Sequence, residues 1–150
     1  MNKQLYHYLD CGLPNVWLDG VEYHETPYGP ATSIPAIEDL HRVIGLSIAE
    51  ANRKMTGPEI RFLRTELDLS QRALANLLDV QENTLRRWEL DETSISGPAQ
   101  RALAGFYMET MNDGTLRGLM LKLADTDRQI EEAILRFKRH GDEWSPKEAA

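Results

Sequence analysis

Apolar positions recur at helical spacing through most of the chain and alternate only near its start. In residues 1–34 the short runs LYHYL, VWL and VEYHE are separated by the breaks CGLPN and TPYGP. They read as small strands, with Asp19-Gly20 as a two-residue hairpin signal and ATSI as one more short strand. From Ile34 to Ala51 the period changes. Ile37, Leu40, Val43/Ile44 and Ile48 line one helical face, and Pro35 suits the first turn. After the polar junction 52–55 the pattern is helical throughout. Thr56 and Glu59 have capping-box spacing, which predicts a helix from Gly57 to about Leu67. Ser70 is the N-cap of a helix through about Leu78. Asp79-Val80-Gln81 is a tight turn, and residues 82–90 form the next helix. DETSISG is a break. Pro98 starts a helix to about Met111, and Asn112-Asp113-Gly114 breaks again. A long helix follows from Thr115 to about His140, and the tail GDEWSPKEAA frays. The expected fold is mainly α: a small N-terminal β-hairpin unit with a linking helix, then a five-helix domain that ends in the long C-terminal helix. The expected divisions are 1–52, 53–112 and 113–150.

Leu69 to Glu89, LSQRALANLLDVQENTLRRWE, carries most of the chemistry. Ala73 is expected where two helices cross. Leu74, Leu77 and Leu78 supply the apolar face, Val80 turns inward, and Leu85 and Trp88 anchor residues 82–90. The outward positions of that last helix are Gln81, Glu82, Asn83, Arg86 and Arg87. Long polar donors and acceptors on one exposed helix face are what reading base edges in a major groove requires. A bare three-helix core, or an acidic protein bound by Arg86 and Arg87, are the competing readings.

This stretch resembles the helix-turn-helix of the Xre/Cro phage-repressor class. The matching features are Leu69-Ser70-Gln71, Ala73, Leu77, Val80, Thr84-Leu85 and Trp88-Glu89. The resemblance covers about residues 56–105 and implies a lambda-repressor-like domain. It also implies that Gln71 contacts a phosphate and that Gln81, Glu82, Asn83, Arg86 and Arg87 meet bases or nearby phosphates. Asp79 stands where the class usually has glycine, and Asp tolerates the left-handed conformation better than most residues. Glu82 could accept a hydrogen bond from cytosine N4.

The domain order is similar to the MqsA-type antitoxins, whose N-terminal part grips a toxin and whose C-terminal part dimerises and represses. That family holds zinc with two Cys-x-x-Cys pairs, whereas Cys11 is the one cysteine here. A metal-free hairpin unit is therefore expected, since His7, Cys11 and His24 lack paired ligand spacing. Tyr6, Tyr8, Trp17, Tyr23 and Tyr28 either build a miniature core or form an aromatic protein-binding surface.

Leu116, Met120, Leu123, Asp127, Ile130, Ile134 and Phe137 form a heptad-like stripe. It packs either on the chain's own helices or against a second protomer. In the second case Leu116, Met120, Leu123, Ile130, Ile134 and Phe137 are the dimer interface. Asp127 on that seam would need a basic partner.

Composition adjusts this picture in three ways. The 150 residues carry a net charge of −7, which first argues against nucleic acid. Yet residues 1–52 hold Lys3 and Arg42 against seven acids, whereas residues 53–90 hold seven basic and six acidic residues. The segment with the helix-turn-helix pattern is the one that is not acidic. No apolar run approaches the roughly 20 residues of a membrane span, and no signal peptide is visible. With a lone cysteine, these features point to the cytoplasm. Gly-rich phosphate loops, His-Glu-x-x-His and triad spacings are absent, so no enzyme and no cofactor are expected. The sequence reading is a dimeric, autoregulatory, sequence-specific repressor on an inverted-repeat DNA operator. Its alternatives are an antitoxin that neutralises a protein toxin through the N-terminal unit, or a phage or mobile-element regulator with no toxin.

Overall fold

The element order is β1 (Tyr6–His7), β2 (Trp17–Leu18), β3 (Glu22–Thr26), β4 (Gly29–Ser33), α1 (Ile37–Glu50), α2 (Gly57–Glu66), α3 (Gln71–Leu78), α4 (Glu82–Glu89), α5 (Gly97–Asn112), β5 (Phe137–His140) and β6 (Glu143–Pro146). The computed structural model describes residues 5–112, 117–118, 120–121 and 136–146. Among them the architecture is mainly α, with small antiparallel hairpins, as the periodicities require.

The β pairing differs from the sequence expectation. Asp19-Gly20 does not join two paired strands. β1 pairs with β2, and β3 pairs with β4. Asp19-Gly20 merely links the two hairpins, with Gly20 at φ +96°. The reason lies in the loop between β1 and β2. It carries Leu13 into the main hydrophobic core, 2% exposed, so closing this loop brings β1 beside β2. TPYGP, read as a break, is the real hairpin turn. The Thr26 hydroxyl donates to the Gly29 carbonyl at 2.5 Å and accepts from the Tyr28 N–H at 3.2 Å.

The miniature aromatic core does not form either. Tyr8 is buried, but Trp17, Tyr23 and Tyr28 are exposed. A ribbon of two short strands has too little area to bury large rings on its own. α1 begins at Ile37, after Ala36 in the left-handed region, so Pro35 precedes the helix. Ile37 and Val43 are exposed, and the buried face of α1 is Gly45 and Ile48 flanked by Ile44 and Ala49. A Cβ at Gly45 would fall on the Tyr107 ring, so this glycine lets α5 approach α1.

One core collects Leu13, Ile48, Ile60, Leu63, Leu74, Leu85, Trp88, Leu103, Phe106 and Tyr107, from the β1–β2 loop and all five helices. Burial, then the nearby Glu66 carboxylate, pushes the Tyr107 phenol up to about 12.

Three successive helices end the same way. Asp68, Asp79 and Asp91 all sit in the left-handed region, at φ 57°, 56° and 58°. The following N–H reaches back each time: Leu69 to the Arg64 carbonyl, Val80 to Ala75, and Glu92 to Arg87. This is the Schellman closure, in which glycine usually stands. A left-handed L-residue costs about 1–2 kcal/mol, and glycine's extra chain entropy returns part of that. Asp79→Gly is accordingly expected to raise stability by about 0.5–1 kcal/mol, read as a higher urea midpoint with unchanged m.

At the start of α2 the capping box is present. The Thr56 hydroxyl accepts from the Glu59 N–H, and the Glu59 carboxylate accepts from the Thr56 N–H at 2.9 Å. Glu59 is buried, which alone would raise its pKa. The Arg53 guanidinium and the Thr56 N–H outweigh burial and hold it below the ordinary 4.5. A carboxyl depressed in the folded state adds stability above its unfolded pKa and loses it as pH falls through the folded value. The Tm of the native chain should thus fall on acidification below about pH 4.5. Glu59→Gln should flatten that fall, and an unchanged acid slope would show that other carboxylates govern it.

The last residues of the expected long helix, Phe137–His140, are corrected. Phe137–His140 is a strand paired with Glu143–Pro146 around Gly141 at φ +61°. HGDE is thus a turn, and Glu143–Pro146, expected in a frayed tail, is the second strand of a hairpin. Phe137, expected on the helical stripe, is an exposed strand residue. Arg117, Gly118, Met120 and Leu121 are helical. The Arg117 guanidinium donates to the Leu67 carbonyl at 2.7 Å and lies over the Phe106 ring. Met120 packs half-buried against the chain's own core. Leu116, Leu123, Asp127, Ile130 and Ile134 lie outside the described residues.

Candidate nucleic-acid interface

The site is built on two short helices joined at a tight turn. Ser70 caps α3 by accepting from the Ala73 N–H at 3.0 Å. Leu74 and Ala75 bury one face of α3, with Leu77 and Leu78 partly covered. Ala75, rather than Ala73, is the small residue buried at this contact; Ala73 is half-buried. Val80 packs against the core from the turn, as expected.

α4 has two opposite faces. Leu85 and Trp88 are 0% and 5% exposed and hold it to α2 and α3. Gln81, Glu82, Asn83, Arg86 and Arg87 are all exposed. The spacing thus brings together the five side chains that sequence reasoning singled out. Arg86 donates twice to Asn83 Oδ1, at 3.2 and 2.8 Å, which ties the two one turn apart. Among the described residues the Arg87 side chain has no ion-pair partner. Arg72, which the motif reading passed over, is also exposed on the first turn of α3.

A buried ion pair fixes the angle at which α4 is held. The Arg64 fork on α2 meets the Glu89 carboxylate on α4 with Nε to Oε2 at 2.8 Å and Nη2 to Oε1 at 3.0 Å. Its third nitrogen donates to the Leu69 carbonyl at 3.1 Å, just before α3. The side chains are 16% and 4% exposed. Gln71 joins the same network, its amide donating to Glu89 Oε1 at 3.4 Å. One Gln71 amide hydrogen is engaged inward, and its other donor is available to a phosphate.

Close backbone contact completes the frame. A Cβ on Gly57 would fall on the Glu89 carbonyl and lie 2.8 Å from the Trp88 carbonyl oxygen. The Gly57 N–H donates to Asp91 Oδ1 at 2.6 Å. The start of α2 therefore sits directly against the end of α4. No single-sequence signal marks Gly57 or Asp91 for this role, because 34 residues separate them.

Residues 60–107 match the family model described as Helix-turn-helix. This segment is a helix-turn-helix of the Xre/Cro type. Within the helix-turn-helix, α3 and α4 are the paired helices and α2 and α5 their packing partners. The helix-turn-helix makes the chain a DNA-binding regulator. No curated protein and no solved structure matches the chain.

The N-terminal part meets the helix-turn-helix through a hydrogen-bonded chain that no sequence pattern marks. His41 Nδ1 donates to Glu66 Oε1 at 2.9 Å, since a carboxylate only accepts. His41 Nε2 is hydrogen-bonded to the Tyr8 hydroxyl at 2.8 Å. Burial, followed by neighbouring negative charge, raises the Tyr8 phenol. The three candidate metal residues engage separately. His7 stacks on Trp17 at 4.0 Å, Cys11 donates to the Tyr8 carbonyl, and His24 lies 3.9 Å from Glu22. Among the described residues no three His, Cys, Asp or Glu side chains are placed to hold a metal ion, and no helix is long and apolar enough to cross a membrane.

Proposed function

We propose that this protein is a sequence-specific transcriptional repressor that binds an inverted-repeat operator as a homodimer and controls its own promoter. α4 enters the major groove. Gln71, with the N–H groups at the start of α3, holds backbone phosphates. Gln81, Glu82, Asn83, Arg86 and Arg87 read four or five base pairs of each half-site. The observation that carries this reading is the two-faced α4, with its five polar side chains exposed opposite buried Leu85 and Trp88. Two such helices one turn of DNA apart, about 34 Å, match a palindrome. The segment after Asn112 is the candidate for pairing the protomers. Its action is binding rather than catalysis, in the cytoplasm, and repression follows from covering the promoter. The acidic flanks keep non-specific affinity low, because phosphate attraction supplies most of that affinity.

The test is binding of the purified chain to its own upstream DNA, with scrambled DNA as control, across a salt titration. Selective binding of two protomers per site supports the proposal. Equal, weak binding to both DNAs removes it. A second reading is favoured by the exposed Trp17, Tyr23 and Tyr28: residues 1–52 grip a protein partner, as an antitoxin grips its toxin.

A further inference from the structure

The β3–β4 ribbon is open on the face that carries Tyr23. Four of the five β3 residues and three of the five β4 residues are exposed. The register sets Tyr23 opposite Thr32 and Glu25 opposite Pro30. Cross-strand partners project to the same side, and residues two apart share it, so these four form one face. All four are exposed. Tyr28 stands fully exposed in the turn at the end of the ribbon, and Tyr23 is 59% exposed.

Single exposed aromatics are ordinary, so exposure by itself decides nothing. The concentration of such residues does more. Of ten exposed large hydrophobic residues among those described, seven lie between Leu5 and Val43. The charge around them is one-sided. Residues 1–52 carry two cations against seven acids, and one of those cations, Arg42, is held by Asp39 at 2.9 Å. Within this acidic segment Glu25 stands on the same face as Tyr23, and among the described residues it has no ion-pair partner. Such a surface repels DNA. It also repels an identical copy of itself, which would bring the same acids to the same place. Tyrosine rings bind guanidinium and ammonium groups through their faces, and carboxylates beside them pair the same cations.

We infer that the Tyr23–Tyr28 face of the β3–β4 ribbon is a docking surface for a positively charged protein segment. The tyrosines cover the aliphatic stems of its arginines or lysines, and Glu25 pairs with a head group on the same face. This rests on the second reading above and supplies its surface and the chemistry of its partner. Opposite charge speeds encounter and excludes wrong partners, while buried tyrosines supply the affinity.

The test uses the full chain with a photo-crosslinking phenylalanine analogue at position 28, activated in the native cell. Adducts are identified by mass spectrometry, and the identified protein is then purified and titrated against the unmodified chain by calorimetry. The expected result is a net-basic protein whose affinity falls at least tenfold with Tyr23→Ser. A comparable fall is expected with Glu25→Lys, whose side chain shares the Tyr23 face. Operator binding by the same variants should stay within twofold of the native chain, which also shows that they fold. No adduct, adducts only with a second copy or an acidic protein, or an affinity indifferent to these variants would overturn the inference. Docking that persists while operator binding is absent would defeat the repressor reading alone.

Discussion

Replacing Arg64 with Ala should lower folding stability by about 3–5 kcal/mol, because it strands the buried Glu89 carboxylate without a partner. Glu89 is 4% exposed at its side chain and spends both oxygens on the Arg64 fork. Removing the fork also frees the Leu69 carbonyl, to which its third nitrogen donates. Three elements then lose their common anchor: α2, the entry to α3, and α4. Chemical denaturation of the purified variant measures the loss, and a cost under about 1 kcal/mol would mean that water reaches the pair freely. Replacing both partners with apolar residues of similar size, Arg64→Met with Glu89→Leu, should recover most of the stability, since neither charge is then buried. Operator binding by that double variant isolates the second role of Glu89. If the pair also positions Gln71 and α4, affinity falls although stability returns. If affinity is unchanged, the pair contributes stability only.

Arg87→Ala should weaken operator binding by about 1–3 kcal/mol per half-site with the fold intact. On a two-half-site operator the doubled cost corresponds to roughly 30- to 20,000-fold in affinity. Arg87 is exposed, and truncating it removes no packed surface. Asn83→Ala should cost a similar amount, by a different route. In the free protein Asn83 Oδ1 holds the Arg86 guanidinium, so its loss also releases Arg86. Two measurements separate base reading from phosphate contact. A base-reading residue relaxes specificity at one operator position, whereas a phosphate-contacting residue weakens all sequences alike and lowers the salt slope by about one per contact. Full affinity in either variant, with an unchanged thermal midpoint, would remove that residue from the readout.

Much of the region from Thr56 to Glu89 was readable residue by residue because its determinants are local. The Thr56–Glu59 box, the Ser70 cap and the Asp79 turn each act within five residues. The 3.6-residue period then puts Leu85 and Trp88 on one side of α4 and Arg86 and Arg87 on another. Reading failed where the deciding partner is far along the chain. Asp19-Gly20 has the right composition for a hairpin turn, yet burial of Leu13 pulled β1 onto β2 instead. The same weakness misplaced the aromatic residues. Strand alternation says which side chains share a face, and it does not say whether anything covers that face. At the other end, RFKRH reads as the close of a helix and GDEWSP as part of a fraying tail, and the turn at Gly141 pairs the two as a hairpin.

Short-range chemistry thus establishes from the amino acids alone that a helix capped by Ser70 meets a second helix at a tight turn, the second with a polar outer face. Each of those signals is a backbone preference or a contact within one or two turns, and these survive without knowledge of the rest of the chain. The orientation of that face is set by pairs 25 and 34 residues apart, Arg64 with Glu89 and Gly57 with Asp91. The seating of the N-terminal unit follows Tyr8, His41 and Glu66, which share no sequence pattern. A side chain's burial or charge partner depends on which distant elements pack against it, and only the folded chain supplies them.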